Sequence, residues 1–228
     1  MIKKGDPWGH PPSGPADVDV TGDDAALADA VASRPGVRVR FRPTPRSDFA
    51  RAIGIASGVA AADRDIASEP DTELPCDLLQ VQTSARTLSV VNMVVVGVPP
   101  DRQRWTSPRV RLHVTVDGRA VHDGDATAVV VANGQFLRGH DVIPRGHPGD
   151  GRAEVHVYAL ARSERRAMRA RLPQGEQVPH PRITTTSGRA VVVESRGAPV
   201  AVEVDGVALE RAASVHIDLT PNAFSLLL

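Results

Sequence analysis

The stretch Val110-Arg111-Leu112-His113-Val114-Thr115-Val116-Asp117-Gly118 decides the fold. Apolar and polar side chains alternate from Val110 to Val116, the period of a strand with one buried face. Asp117-Gly118 then supplies two residues that tolerate the positive φ of a tight hairpin turn. Asp205-Gly206 repeats that signal between apolar-alternating runs. Working outward, further strands are predicted at Leu78–Gln82, Leu88–Val96, Thr127–Ala132, Glu154–Ala159, Ile183–Thr186, Ala190–Glu194, Val200–Val204 and Ser214–Leu219. Short strands at this spacing predict a sandwich or barrel. Arg162–Leu172 is a helical insert, ended by Pro173.

Upstream the pattern differs. Val18 and Val20 read as a short strand, and Ala25–Ser33 as an alanine-rich helix capped by Asp23 or Asp24. Val37, Val39 and Phe41 alternate with Arg38, Arg40 and Arg42, a second half-buried strand. Pro43 and Pro45 break the chain, and Ser47 or Asp48 caps a helical stretch through Ile55. The order strand, helix, strand, helix is that of an α/β layer. The predicted class is therefore α+β: a truncated N-terminal α/β, nucleotide-binding-like layer (residues 1–65) packed on an antiparallel β-sandwich (residues 66–228). A Pro/Gly-rich lead-in over residues 5–16 offers Trp8 as an anchor.

Composition narrows the function classes. Lysine plus arginine and aspartate plus glutamate each number 27, and that balance argues against a nucleic-acid binder, which carries a basic footprint. Cys76 is the one cysteine, so no intramolecular disulfide forms, which fits a reducing cytoplasm. Met1–Pro15 has no apolar run behind its lysines and does not read as a signal peptide. Val90–Val98 contains Asn92 and is too short to span a bilayer, so membrane contact is expected to be peripheral. The eight histidines show no zinc-ligand spacing.

Three segments, in order, resemble the bacterial diacylglycerol-kinase-like lipid kinases. Asp48-Phe49-Ala50-Arg51-Ala52-Ile53-Gly54-Ile55 is similar to that family's Asn-Asp-Phe-Ala-Arg helix. Val130-Val131-Ala132-Asn133-Gly134, followed by Gly139, Pro144 and Asp150-Gly151, resembles a strand ending in Asn, a glycine-rich turn, a proline and an Asp-Gly. Val202-Glu203-Val204-Asp205-Gly206 stands at the place of a late Asp-Gly-Glu hairpin, and Asn92 and Gly97 match an early sandwich strand. The resemblance covers roughly residues 18 to 228. It implies an ATP- and Mg²⁺-dependent lipid kinase fold, here shortened, with few residues ahead of its first phosphate loop.

The resemblance also assigns sites, and this sequence departs from several. Thr21-Gly22-Asp23-Asp24-Ala25 stands for a Gly-Gly-Asp-Gly-Thr phosphate loop, retaining Gly22 and Asp23 but placing the Asp24 carboxylate where phosphate is expected. Thr44-Pro45-Arg46-Ser47 stands for Gly-Thr-Gly-Asn, with a donor lost at Pro45. Arg46, Ser47 and Asp48, with Gly22 and Asp23, are the candidate nucleotide-side residues. The general-base position holds Val207, which cannot titrate; a base loss of this kind costs about 10²–10⁴-fold in rate. Glu203 and Glu210 are the carboxylates an active enzyme would turn to. Asp150 is the candidate metal residue, with His147 at its acidic partner's position, a poor ligand for a hard cation.

The expectation is a lipid-kinase-family protein with impaired catalysis, acting as a lipid-, nucleotide- or protein-binding module. An active ATP-dependent lipid kinase is the alternative. Arg162, Arg165, Arg166, Arg169 and Arg171 load the helical insert with positive charge, as a solvated face or as a surface for anionic lipid heads. A homo- or hetero-oligomer that completes the cleft is a further expectation.

Overall fold

A computed structural model describes residues 8–55, 70–175 and 179–228. The boundary expected at residue 65 and the first three residues of the lead-in, 5–7, lie outside these. Trp8 is anchored as expected: its indole N–H donates to the Pro75 carbonyl at 2.9 Å, and its ring meets His147 edge-on.

The N-terminal layer is β1 (Val18–Gly22), α1 (Asp24–Val31), β2 (Val37–Pro43) and α2 (Asp48–Ala52). Asp23 caps α1 by accepting the Ala26 N–H, and Ser47 caps α2 by accepting the Ala50 N–H. The second helix ends at Ala52 rather than Ile55, because Gly54 turns the chain through φ +74°. β1 and β2 pair in parallel, with Val20 opposite Phe41.

The rest is β-rich. One mixed sheet runs β1-β2-β16-β13-β6-β7, where β6 is Val110–Val116, β7 Arg119–Ala126, β13 Ala190–Ser195 and β16 Ser214–Leu227. β3 (Glu73–Gln82) pairs with β16, and β4 (Thr87–Val90) with β3. The second sheet, all antiparallel, runs β12-β11-β8-β5-β14-β15. Its strands are β5 (Met93–Gly97), β8 (Ala128–Ala132), β11 (Ala153–Tyr158), β12 (Ile183–Gly188), β14 (Val202–Val204) and β15 (Val207–Ala208). β9 (Phe136–Leu137) and β10 (His140–Asp141) form a small hairpin, and α3 (Arg162–Arg171) follows β11. Both Asp-Gly signals make hairpins, with Asp117 and Gly118, and Asp205 and Gly206, all at positive φ.

Three expectations need correction. Leu88–Val96 is two strands, not one: β4 lies in the first sheet and β5 in the second. The Asp205 carboxylate takes the N–H groups of Val91, Asn92 and Met93, satisfying the backbone where the chain changes sheets. β7 was not predicted, since Asp123-Gly124-Asp125 interrupts its apolar pattern. β16 continues past Leu219 to Leu227, through an irregularity between Thr220 and Phe224. Asp77, fully buried, pins that irregularity to the neighbouring loop by accepting the N–H groups of Asn222 and Gly151.

That long strand joins the two layers. Its first half pairs with β13, and its last residues pair with β2, Phe224 opposite Val37, while β3 flanks both halves. The apolar core of the N-terminal layer accordingly takes Leu74, Cys76, Leu78, Phe224 and Leu226 from far along the chain, around Phe49 and Leu27. A second core fills the space between the sheets, with Val94, Val131, Val155 and Val193 among its members. A third lies outside the second sheet, where Leu137, Ile143, Tyr158 and Leu160 cover Met93, Val95 and Val130.

Candidate functional site

Four elements meet where the N-terminal layer faces the sandwich. β1 delivers Gly22, whose missing side chain lets the first turn of α1 pack close: a Cβ there would stand 2.5 Å from that of Ala26. Asp23 is spent on capping. Asp24, buried, crosses to the start of α2, accepting from the Ser47 hydroxyl at 2.5 Å, the Phe49 N–H at 3.1 Å and the Asp48 N–H at 3.2 Å. The last two donors are free N–H groups of the kind a helix start presents to an anion. Pro45 and Arg46 are exposed beside them.

Asp48 turns the other way. Its carboxylate accepts the backbone N–H groups of Arg138 and, at 2.8 Å, Gly139. Arg138 and Gly139 both lie at positive φ in the β9–β10 turn. The Arg138 guanidinium donates to both Asp101 oxygens, at 2.8 and 2.7 Å, and to Glu203. Glu203 also pairs with Arg102 at 3.5 Å. The Asp-Phe-Ala-Arg helix is thus latched to the sandwich through Asp48, Arg138 and Glu203.

Asp205 closes the site from the β14–β15 turn. Burial raises its pKa to about 6, although three backbone N–H groups oppose the rise, and the charge of Asp23 adds to it. Asp24 is raised to about 7, first by burial and then by the charge of Asp205, against the hydrogen bonds from Ser47 and Phe49. Carboxylates in water ionise near 4. Burial of the two carboxyls therefore keeps each protonated to a higher pH than in water.

The sites expected from sequence fall into separate groups. Gly22, Asp23, Ser47 and Asp48 gather here, with Arg46 at the rim. Val207 is exposed on β15. Glu210 pairs with Arg86 at 2.8 Å and accepts from Thr83, at the β3–β4 turn. Asp150 accepts the Arg152 N–H at 2.9 Å and lies near His147 and Asp77; burial raises its pKa. His147 accepts the Gly149 N–H, and among the described residues no three acidic, histidine or cysteine side chains gather to hold a metal. Sequence reasoning missed Arg138, Asp101 and the clasp made by Asp205. Nothing local marks them, because each acts on a partner at least 37 positions away.

A two-strand α/β edge continuous with a two-sheet sandwich, its cleft lined by a strand-to-helix turn and a late Asp-Gly hairpin, is the architecture of a kinase-like fold. Residues 101–228 match the family described as the YegS C-terminal NAD kinase beta sandwich-like domain, and the chain belongs to that family. A crystal structure assigned as a diacylglycerol kinase from Bacillus anthracis str. Sterne superposes with a TM-score of 0.73 at 18% identity, covering 92% of this chain and 78% of that one. A second from the same organism gives 0.70 at 18% identity, covering 92% and 76%. At such identities the likeness shows the shared fold. No curated protein matches the sequence. Among the described residues no helix is long and apolar enough to cross a membrane.

Proposed function

We propose that this chain keeps the scaffold of a lipid kinase and binds a ligand without transferring phosphate from ATP. The observation that carries the reading is Asp24, whose carboxylate takes the α2 donors that an incoming phosphate needs. Two further features support it. Asp23, Asp24, Asp48 and Asp205 stand near enough for their charges to act on one another, and two like charges 4 Å apart repel by about 4 kcal/mol at an effective dielectric near 20. The carboxylates available to replace the missing base are engaged, Glu203 by Arg138 and Arg102, Glu210 by Arg86. The residues present do not fit a triphosphate.

One observation favours an active lipid kinase instead: Asp24, with its pKa raised to about 7, has the acidity of a general base working at neutral pH. Labelled ATP with diacylglycerol in mixed micelles separates the two readings. The binding-module reading expects no transfer above background. Turnover that Asp23→Ala or Asp24→Asn abolishes, with the fold intact by circular dichroism, would overturn it.

A further inference from the structure

On the outer face of the second sheet a groove of about 630 Å³ lies between α3 and the loop after the Pro100–Arg102 turn. Trp105 stands at its edge, 61% exposed. Arg104, Arg162, Arg166 and Arg169 line it. Positions 162, 166 and 169 are four and three residues apart, so α3 presents them on one side.

The loop is braced from below. Arg165, fully buried, donates through one terminal nitrogen to the carbonyls of Arg104 at 3.3 Å, Trp105 at 3.2 Å and Ser107 at 2.8 Å. Arg169 donates to the Gln103 carbonyl at 3.2 Å, and the Ser107 hydroxyl accepts the Arg104 N–H at 2.8 Å. Burying an arginine among neutral carbonyls is costly. That cost goes to holding an indole in water, which packing alone does not explain.

Charge singles out one class of partner. The chain is neutral overall, yet among the described residues Arg104, Arg162, Arg166 and Arg169 have no carboxylate within ion-pair distance. Glu164, the acid on α3, is turned to His180 and Arg182 and to the Ala161 N–H. Several guanidinium groups around one rigid, exposed indole suit a surface that is anionic outside and apolar just beneath. Trp settles at that boundary, and arginine stems reach up from it to phosphate. An acidic protein segment would satisfy the arginines and leave the indole without its apolar layer.

We infer that Trp105 with Arg104, Arg162, Arg166 and Arg169 is a docking site for the surface of an anionic phospholipid bilayer. Arg102, three residues before Trp105, pairs with Glu203, so docking sets the rim of the acidic cleft close to the membrane. The inference holds whether or not the cleft transfers phosphate, since its readout is vesicle binding without nucleotide.

The full chain is sedimented with vesicles of phosphatidylcholine alone and of phosphatidylcholine with phosphatidylglycerol. Binding is expected to the second and to weaken with added salt. Arg162→Gln/Arg166→Gln is expected to lower the partition coefficient by roughly 10- to 30-fold, at about 1 kcal/mol for each basic residue near an anionic surface. Trp105→Ala is expected to lower it about 10-fold with the melting temperature unchanged. In a Trp8→Phe background, Trp105 emission shifts to the blue on anionic vesicles only. Absence of binding to anionic vesicles overturns the site, as does binding that neither variant weakens. Saturable binding of free inorganic phosphate or of a polyglutamate peptide without vesicle binding assigns the groove to a soluble anion and overturns the membrane assignment.

Discussion

Replacing Asp24 by Asn removes a charge from the cleft while keeping the shape, and its effect on stability changes sign with pH. In the folded chain Asp24 is raised from 3.8 to about 7 by burial and by Asp205. Between about pH 4 and 7 the folded protein therefore holds a proton that the unfolded chain has released. Stability associated with this group is fully present below pH 4 and drains away as pH rises through 7. At about 1.4 kcal/mol for each tenfold in acidity, the ceiling is about 4 kcal/mol. Sharing of the effect with Asp205 lowers it, so about 1–3 kcal/mol is a working range. The amide also has a cost, because its NH₂ faces a backbone donor at Asp48 or Phe49, about 1 kcal/mol. Asp24→Asn should therefore range from about equal to about 0.6 kcal/mol less stable than the parent at pH 5, where over a third of the penalty has accrued, and should be up to about 2 kcal/mol more stable at pH 8. Urea unfolding of both proteins in the same buffers measures the difference. The comparison matters because His156, held neutral by burial at a pKa of about 4, tilts the parent's own curve the other way. An equal deficit at both pH values would refute the reasoning, since it would mean that Asp24 is ionised without penalty.

Arg138→Met leaves Asp101 and Glu203 facing each other without their guanidinium; a loss of about 2–4 kcal/mol is expected in urea unfolding. Arg138→Lys should recover only part, since one ammonium cannot donate to three oxygens in the same fork. Glu210→Gln breaks a part-exposed pair with Arg86 and should change stability by less than about 1 kcal/mol. It should also leave any residual phosphotransfer unaltered; a large drop in turnover would make Glu210 a base after all. Gly97→Ala forces a side chain onto a residue at φ +103° and toward the Thr127 carbonyl, and should cost more than about 1 kcal/mol by thermal melting.

Much of this architecture was legible because it is local. The alternation in Val110–Val116 and the Asp-Gly pairs fixed strands and turns through period and positive φ alone, and Ser47 and Asp23 cap their helices as their chemistry suggests. What stayed hidden is long-range. The break at Val91–Asn92 lies inside an unbroken apolar run, and the carboxylate that permits it belongs to Asp205, more than 110 positions away. The continuation of β16 past Pro221 and Asn222 depends on β2 and β3 offering it edges. At the site, sequence placed an acid at Asp24 but not its destination, the start of α2. The arginine-loaded helix read as one charged face, whereas Arg165 points inward and organises the Trp105 loop.

Calorimetric titration of the purified chain with ATP in the presence of Mg²⁺ bears on the kinase cleft most directly. With Asp24 seated on the α2 donors and three more carboxylates around it, no saturable heat is expected. Saturable binding that Ser47→Ala or Asp23→Ala weakens would place a triphosphate where we place an internal carboxylate, and would contradict the account.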